Sequence, residues 1–348
     1  MTGIGSNSPA VMLCGHGSRD ASAVSEFRAF AEILRRRLAG RDVESGFLEF
    51  ARPVIRDGLE ALKARGAKRI ACLPGMLFAA GHVKNDLPAE LNAFAAANPG
   101  IEVRFGRELA VDTRLVAASA ARIEEAETRA SGAVPRADTV LLTVGRGTND
   151  PDANSNVAKV ARMLWEGMGF GWGAIAYSGV AHPRVDAALS RLVRLGFRRI
   201  VVFPYFLFTG ILVRRIYDQT DTVAAANPDV EFLKAGYLND HPLLVECFLD
   251  RLREAEEGTG VMNCLLCKYR ERIVGFEGAV GEAQAGHHYH VRGIGIDSDL
   301  PSPAEAGFAK AGRGHSHDHG HGHDHGYGHD HGHGHPHAHD HGPARRKT

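Results

Sequence analysis

Apolar and polar positions alternate in two rhythms over the first 255 or so residues. Short apolar runs with β-type composition occur at Ala10–Cys14, Val43–Glu49, Arg69–Leu73 and Ile101–Phe105. Between them the apolar residues recur at helical spacing. Val24, Phe27, Leu34 and Leu38 form one stripe, and Ile55, Leu59 and Leu62 form another that stops at Gly66. Strands alternating with helices at this spacing predict a parallel sheet covered by helices on both faces.

The pattern then recurs. A shift of 130 residues aligns Gly15 with Gly145, Gly17 with Gly147, Pro53 with Pro183, Leu59 with Leu189, Gly66 with Gly196 and Pro74 with Pro204. Further on the shift becomes 129, aligning Gly81 with Gly210 and Pro99 with Pro228. The identities fall on turn residues and helix faces, as expected of a duplicated α/β module. The expected division is a first module over 1–129 and a second over 130–256, joined at Ala130–Pro135. A Cys-x-x-Cys segment over 257–312 follows, then a His-rich tail over 313–348. The tail, built from His, Gly and Asp, lacks the apolar residues a core requires and is expected to be disordered.

Composition narrows the function classes. Lys+Arg and Asp+Glu are 41 each among 348 residues, so no basic excess points to nucleic acid. No apolar run reaches the roughly 18 residues of a membrane span, and Met1–Pro9 shows no export signal. The five cysteines are an odd number, with Cys14 and Cys72 inside apolar strand-like runs. That is not a disulfide framework, so a reducing, cytoplasmic setting is expected. Histidine is the anomaly: of 20 in the chain, thirteen lie between His315 and His341.

Three segments carry candidate chemistry in the first module. Gly15-His16-Gly17-Ser18-Arg19-Asp20 follows the first strand, where open parallel sheets bind ligands beyond the strand ends. It lacks the third glycine of a dinucleotide fingerprint. Phe78-Ala-Ala-Gly81-His82-Val-Lys84-Asn85-Asp86-Leu-Pro88 follows the third strand on the same rim. Here Asn85 or Asp86 is read as a helix cap, and His82 as a loop residue near His16. Glu49 closes the second strand run. Two imidazoles and a carboxylate on one rim suit a borderline divalent metal and proton transfer.

The repeat acts as an internal control. His16 corresponds to Arg146, Glu49 to Gly179, and His82 to Ile211 or Leu212. The second module keeps the frame and lacks the ligands, so one site per chain is expected. Arg146, Arg214 and Arg215 are expected on its opposite wall, facing an anionic substrate.

Gly15-His16-Gly17-Ser18-Arg19, Ala80-Gly81-His82, Met262-x-Cys264-x-x-Cys267 and the His-rich tail together resemble the long-form sirohydrochlorin cobaltochelatases (CbiX type), within the class II chelatases. The resemblance implies two flavodoxin-like modules facing each other across a cleft. It also implies insertion of Co2+, as a substrate, into sirohydrochlorin without ATP, on the anaerobic route to cobalamin. His16 and His82 would hold the metal and take up protons, with Glu49 assisting. Ser18, Arg19, Lys84, Arg146 and Arg214 would bind the carboxylates of the tetrapyrrole.

A Cys-x-x-Cys motif alone fits a redox dithiol, a zinc half-site or an iron–sulfur half-site, and the resemblance favours an iron–sulfur cluster at Cys264 and Cys267. Four thiolates are the usual requirement. With Cys14, Cys72 and Cys247 placed in strands and a helix, a homodimer sharing one cluster is expected. The tail reads as a reversible store of divalent ions. Siroheme ferrochelatase, a metal-storage or metallochaperone protein, and a redox-sensing regulator are the competing readings. No partner beyond the tetrapyrrole, the metal ion and a second copy is implied.

Overall fold

The computed structural model describes residues 8–260. Two four-stranded parallel sheets form. In the first, β1 (Ala10–Gly15), β2 (Val43–Phe47), β3 (Arg69–Pro74) and β4 (Glu102–Phe105) take the order β2-β1-β3-β4. In the second, β5 (Thr139–Gly145), β6 (Trp172–Tyr177), β7 (Arg199–Pro204) and β8 (Glu231–Lys234) take the order β6-β5-β7-β8. The central strands are buried on both faces and therefore read as continuous apolar runs. The four strands of the first sheet start and stop within two residues of the sequence reading. The largest difference is β2, which ends at Phe47 and leaves Glu49 in the following turn.

The first module continues with α1 (Ala21–Arg37), α2 (Ile55–Ala64), α3 (Leu87–Ala97) and α4 (Thr113–Thr128). Their counterparts are α5 (Pro151–Met168), α6 (Val185–Leu192), α7 (Ile211–Ala225) and α8 (Pro242–Glu257). Of the stripe read from the sequence, Phe27 and Leu34 are buried in α1, Val24 is half-buried and Leu38 caps the helix end, while Phe30 adds a further buried ring. Gly66, just past α2, takes φ +89, the left-handed conformation glycine allows at a helix end.

Three apolar cores divide the work. Met12, Cys14, Ile70 and Cys72 on one face of the first sheet pack on Leu59, Leu62, Leu91 and Phe94 of α2 and α3. Val140, Leu142, Ile200 and Val202 do the same against Leu189, Leu192 and Ile216 of α6 and α7. The inner faces of both sheets, with α1, α4, α5 and α8, share one continuous core. Within it the last helices are exchanged: α4 packs on α5, β7 and β8, whereas α8 packs on β3 and β4. Helical periodicity says that a face must be covered but not by which sheet, so this exchange is invisible in the sequence. Ion pairs tie the exchanged helices together, among them Arg114 to Asp250 and Arg251 to Asp112 at 2.8 Å.

Cys14, Cys72 and Cys247 are buried thiols in β1, β3 and α8. Cys264, Cys267 and the His-rich tail lie outside the described residues. No helix among the described residues is long and apolar enough to cross a membrane.

Candidate metal-receiving site

In each sheet the strand order reverses direction between the first and third strands, and the connections leaving their carboxyl ends open a crevice there. His16 leaves β1, and His82 follows β3, so both stand at this switch point. The Gly17 conformation makes the junction. Its φ is +97, and a Cβ there would lie 1.7 Å from the Glu49 carbonyl oxygen, so only glycine fits. The close approach lets the two loops exchange backbone hydrogen bonds: Leu48 N–H donates to the Gly15 carbonyl at 2.8 Å, and Glu49 N–H to the His16 carbonyl at 3.0 Å. Glu49 is thereby fixed beside His16.

His82 opens a single π-helical turn, His82–Asp86, which runs on into α3. This corrects the expectation of a loop position. Such single-turn insertions concentrate at functional sites because they re-aim side chains relative to a regular helix. Asp86, expected as a cap, makes no side-chain capping bond. Its buried carboxylate instead accepts the Nδ1–H of His82 at 2.8 Å. The signal was in the sequence, since histidine and aspartate stand four residues apart.

The two rings meet edge to face with centroids 4.5 Å apart. His16 Nε2 is 3.4 Å from Glu49 Oε1. Ligands bonded at about 2.1 Å to a common tetrahedral ion stand about 3.4 Å apart, so this pair already has that spacing. Among the described residues, His16, Glu49 and His82 form a set whose ligand atoms all lie within 4.8 Å of one another.

The tautomers are also set. His16 Nδ1 lies 2.8 Å from the Gly17 carbonyl and His82 Nδ1 lies 2.8 Å from the Asp86 carboxylate. Both partners accept only, so in each neutral ring Nδ1 carries the proton and Nε2 keeps its lone pair. Glu49 is 3% exposed. Burial raises its carboxyl pKa, while the charges of His82, Arg146 and Arg19 pull it back down.

The set faces a cleft of about 510 Å³ between the two modules, a size suited to a small organic ligand. Its walls are largely apolar and aromatic, with Phe50, Phe78 and Phe206 contributing rings. Ser18, Arg19 and Arg146 line it as expected. The Arg19 guanidinium lies 4.9 Å from the centroid of the Phe50 ring, which takes φ +64 in the turn after Glu49. Loss of water lowers the Arg146 pKa and the Glu49 charge opposes this, yet a guanidinium stays cationic at neutral pH.

Two expected substrate ligands lie elsewhere. Lys84 is buried, with its ammonium held by Asp150 at 2.8 Å and Asp152 at 3.0 Å, because the π-helical turn directs it into the second module. Arg214, in the first turn of α7, pairs with Asp20 and does not line the cleft. Arg215 is likewise absent from the lining. The duplicated frame also settles the counterpart of His82. The π-turn and α7 begin directly after Gly81 and Gly210, so Ile211 stands where His82 does.

The CbiX family model matches residues 10–126 and again 140–255, once over each sheet. The chain belongs to the CbiX family of class II chelatases. This CbiX chain is 34% identical over 266 residues to the sirohydrochlorin cobaltochelatase of Priestia megaterium, covering 76% of this chain and 86% of the relative. It is 30% identical over 245 residues to the sirohydrochlorin ferrochelatase of Bacillus subtilis strain 168, covering 70% and 91%. SirB from Bacillus subtilis with Fe3+ superposes with a TM-score of 0.64 at 30% identity, covering 73% of this chain and 98% of that one. The sirohydrochlorin chelatase SirB of subspecies spizizenii, in complex with cobalt, gives 0.61 at 31% identity, covering 73% and 98%.

Proposed function

We propose that this protein is a sirohydrochlorin cobaltochelatase. The observation that carries the reading is the meeting of His16, Glu49 and His82 at one wall of a cleft of about 510 Å³ lined by aromatic rings and by Arg19 and Arg146. A family relative of this activity at 34% identity supports it.

Metallation removes two pyrrole N–H protons and strips water from the incoming ion. The Nε2 lone pairs of His16 and His82 receive Co2+ as a substrate, and the Glu49 carboxylate completes a three-donor face. Transfer of the ion to the macrocycle frees the same lone pairs to accept the pyrrole protons, the general-base role an imidazole can fill. Arg19, Arg146 and Ser18 hold carboxylates at the macrocycle edge, while the aromatic walls cover its faces. No nucleotide enters this scheme.

Insertion of Fe2+ is the second reading. Relatives carrying the ferrochelatase name are 30% and 32% identical, and the donor set suits both ions. The test is sirohydrochlorin metallation by the purified full chain with Co2+, Fe2+ or Ni2+ in separate cuvettes, followed by absorbance. Fastest turnover with Co2+ supports the proposal, and faster turnover with Fe2+ replaces it with the second reading. Wild-type turnover in both His16→Ala and His82→Ala overturns the site itself.

The cluster belongs to the same proposal. The three described cysteines are buried in the core, so one chain offers only Cys264 and Cys267, and two chains are required for four thiolates. Cys264→Ser with Cys267→Ser should abolish visible cluster absorption and leave a monomer.

A further inference from the structure

The turn that carries His82 is gripped from the opposite module. Lys84, two residues along, is 4% exposed, and its ammonium meets Asp150 Oδ2 at 2.8 Å and Asp152 Oδ2 at 3.0 Å. Both carboxylates stand at the amino end of α5, where Asp150 is the N-cap and accepts the Asp152 N–H. The positive end of the helix favours these charges, and the two carboxylates compensate a lysine removed from water. Burial alone would lower the Lys84 pKa, but its two partners raise it, so the side chain stays cationic.

The second module returns the gesture on weaker terms. Arg214, in the turn after Gly210, reaches Asp20, the N-cap of α1 and the counterpart of Asp150. Each module therefore reaches the first helix cap of the other from the turn after its third strand. The contacts are unequal. Lys84 is buried between two carboxylates, whereas the Arg214 side chain is 52% exposed and has one. The stronger grip falls on the turn that carries a metal donor.

We infer that Lys84, Asp150 and Asp152 are positioning residues that lock the π-helical turn so that His82 faces His16 and Glu49. Ring rotation of His82 is set by Asp86, but the place of the turn itself must be set from outside. It follows Gly81, where an added Cβ would meet nothing within 4 Å, so packing does not hold the chain at the entry to the turn. A donor set must be held to within roughly 0.5 Å to work, and the clamp supplies that constraint. The second module has no equivalent donors of its own, yet it completes the first module's site. This inference rests on the metal-receiving role given above to His16, Glu49 and His82.

The experiment is a Co2+ titration of the full chain without tetrapyrrole, following the ligand-field absorption. The same titration of the His16→Ala, His82→Ala double variant is subtracted, which removes ions bound by the His-rich tail. Lys84→Met is expected to weaken the site-specific component about tenfold, the scale on which supporting residues act at metal centres. Arg214→Met, which releases a turn without a donor, is expected to leave it within twofold. An unchanged midpoint and band shape in Lys84→Met overturns the inference. So does an equal loss in Arg214→Met, which would mean general loosening of the modules. Should Lys84→Met fail to fold, Asp152→Asn, which keeps Asp150 on the ammonium, is read instead: a smaller loss supports the clamp and none overturns it. If the wild type gives no component above the double variant, the metal-site reading falls and takes the clamp with it. If the wild type gives one and Lys84→Met keeps it, only the clamp falls.

Discussion

The two modules have one frame and one site between them. Gly17 and Gly147 hold the same left-handed conformation, at φ +97 and +84, and each brings its loop against the turn after the second strand. Ser178 and Gly179 donate to Gly145 and Arg146 as Leu48 and Glu49 donate to Gly15 and His16. Even the positive φ at Phe50 recurs at Val180. The candidate donors His16, Glu49 and His82 correspond to Arg146, Gly179 and Ile211 in the second module. The shared backbone geometry therefore does not by itself create the site. It creates a place where a metal donor set can stand, and side-chain identity, together with the π-helical turn that only the first module carries there, decides which copy becomes one.

The largest expected effect tests that asymmetry directly. Loss of either imidazole, by His16→Ala or His82→Ala, should lower sirohydrochlorin metallation by roughly 10²–10⁴-fold, the span of a positioned proton-transfer group. Glu49→Ala belongs at the lower end of that span. Its counterpart change, Gly179→Ala, should stay within about twofold, because the added Cβ meets nothing nearer than 3.5 Å. A comparable loss in Gly179→Ala would show that the second module carries chemistry as well.

The frame predicts the opposite result, equality. A Cβ at Gly17 would stand 1.7 Å from the Glu49 carbonyl oxygen, and one at Gly147 1.9 Å from that of Gly179. Both backbones also hold a conformation that costs a non-glycine residue about 1–3 kcal/mol. Gly17→Ala and Gly147→Ala should each lose roughly 2–4 kcal/mol in denaturant unfolding. Only Gly17→Ala should also disturb Co2+ binding. Unequal stability losses would mean that the two loops are less alike in energy than in backbone conformation.

A smaller effect separates ring orientation from ligation. Asp86→Ala removes the acceptor for His82 Nδ1–H and frees the ring to present either nitrogen. Metal affinity should fall about tenfold to a hundredfold, while Asp86→Asn, which can still accept that hydrogen, should lose less. No counterpart effect exists in the second module, where Ile211 needs no orienting group. Equal losses for Ala and Asn would show that the charge of Asp86 matters and the hydrogen bond does not.

How much of this was legible beforehand follows from what each residue depends on. His16 and Glu49 lie within two residues of strand ends and His82 in the connection after the third strand, so strand position brings all three to one rim. The duplicated glycines and prolines exposed the second module for the same reason. Lys84 and Arg214 read as cleft residues because the turns that carry them border it. Their direction depends on how the turn after Gly81 or Gly210 winds, and a π-helical turn leaves no clear trace in composition. Asn85 or Asp86 reads as a cap because a short polar residue ahead of Leu-Pro commonly is one. The exchange of α4 and α8 escaped entirely, since both helices have an ordinary apolar stripe that either sheet could cover.

That exchange makes the last prediction, one of pH. Asp112 caps α4 and faces Arg114 on its own helix and Arg251 on α8, which is 3% exposed in its side chain. Burial alone would raise the Asp112 carboxyl, but the two guanidinium groups overcome it and hold the pKa at about 2 against an ordinary 3.8. A carboxyl lowered in the folded state stabilises it fully above the ordinary value. That stabilisation is lost as pH falls from about 4 through about 2, and is on the order of 2 kcal/mol. Asparagine still caps a helix, so Asp112→Asn removes the charge with little change in the cap itself. The variant should be less stable than wild type at pH 7, and the gap should narrow steadily between pH 4 and 2. A constant gap across that window would place the role of Asp112 in its hydrogen bonds rather than its charge. The bond between the exchanged helices would then be no more acid-sensitive than the rest of the shared core.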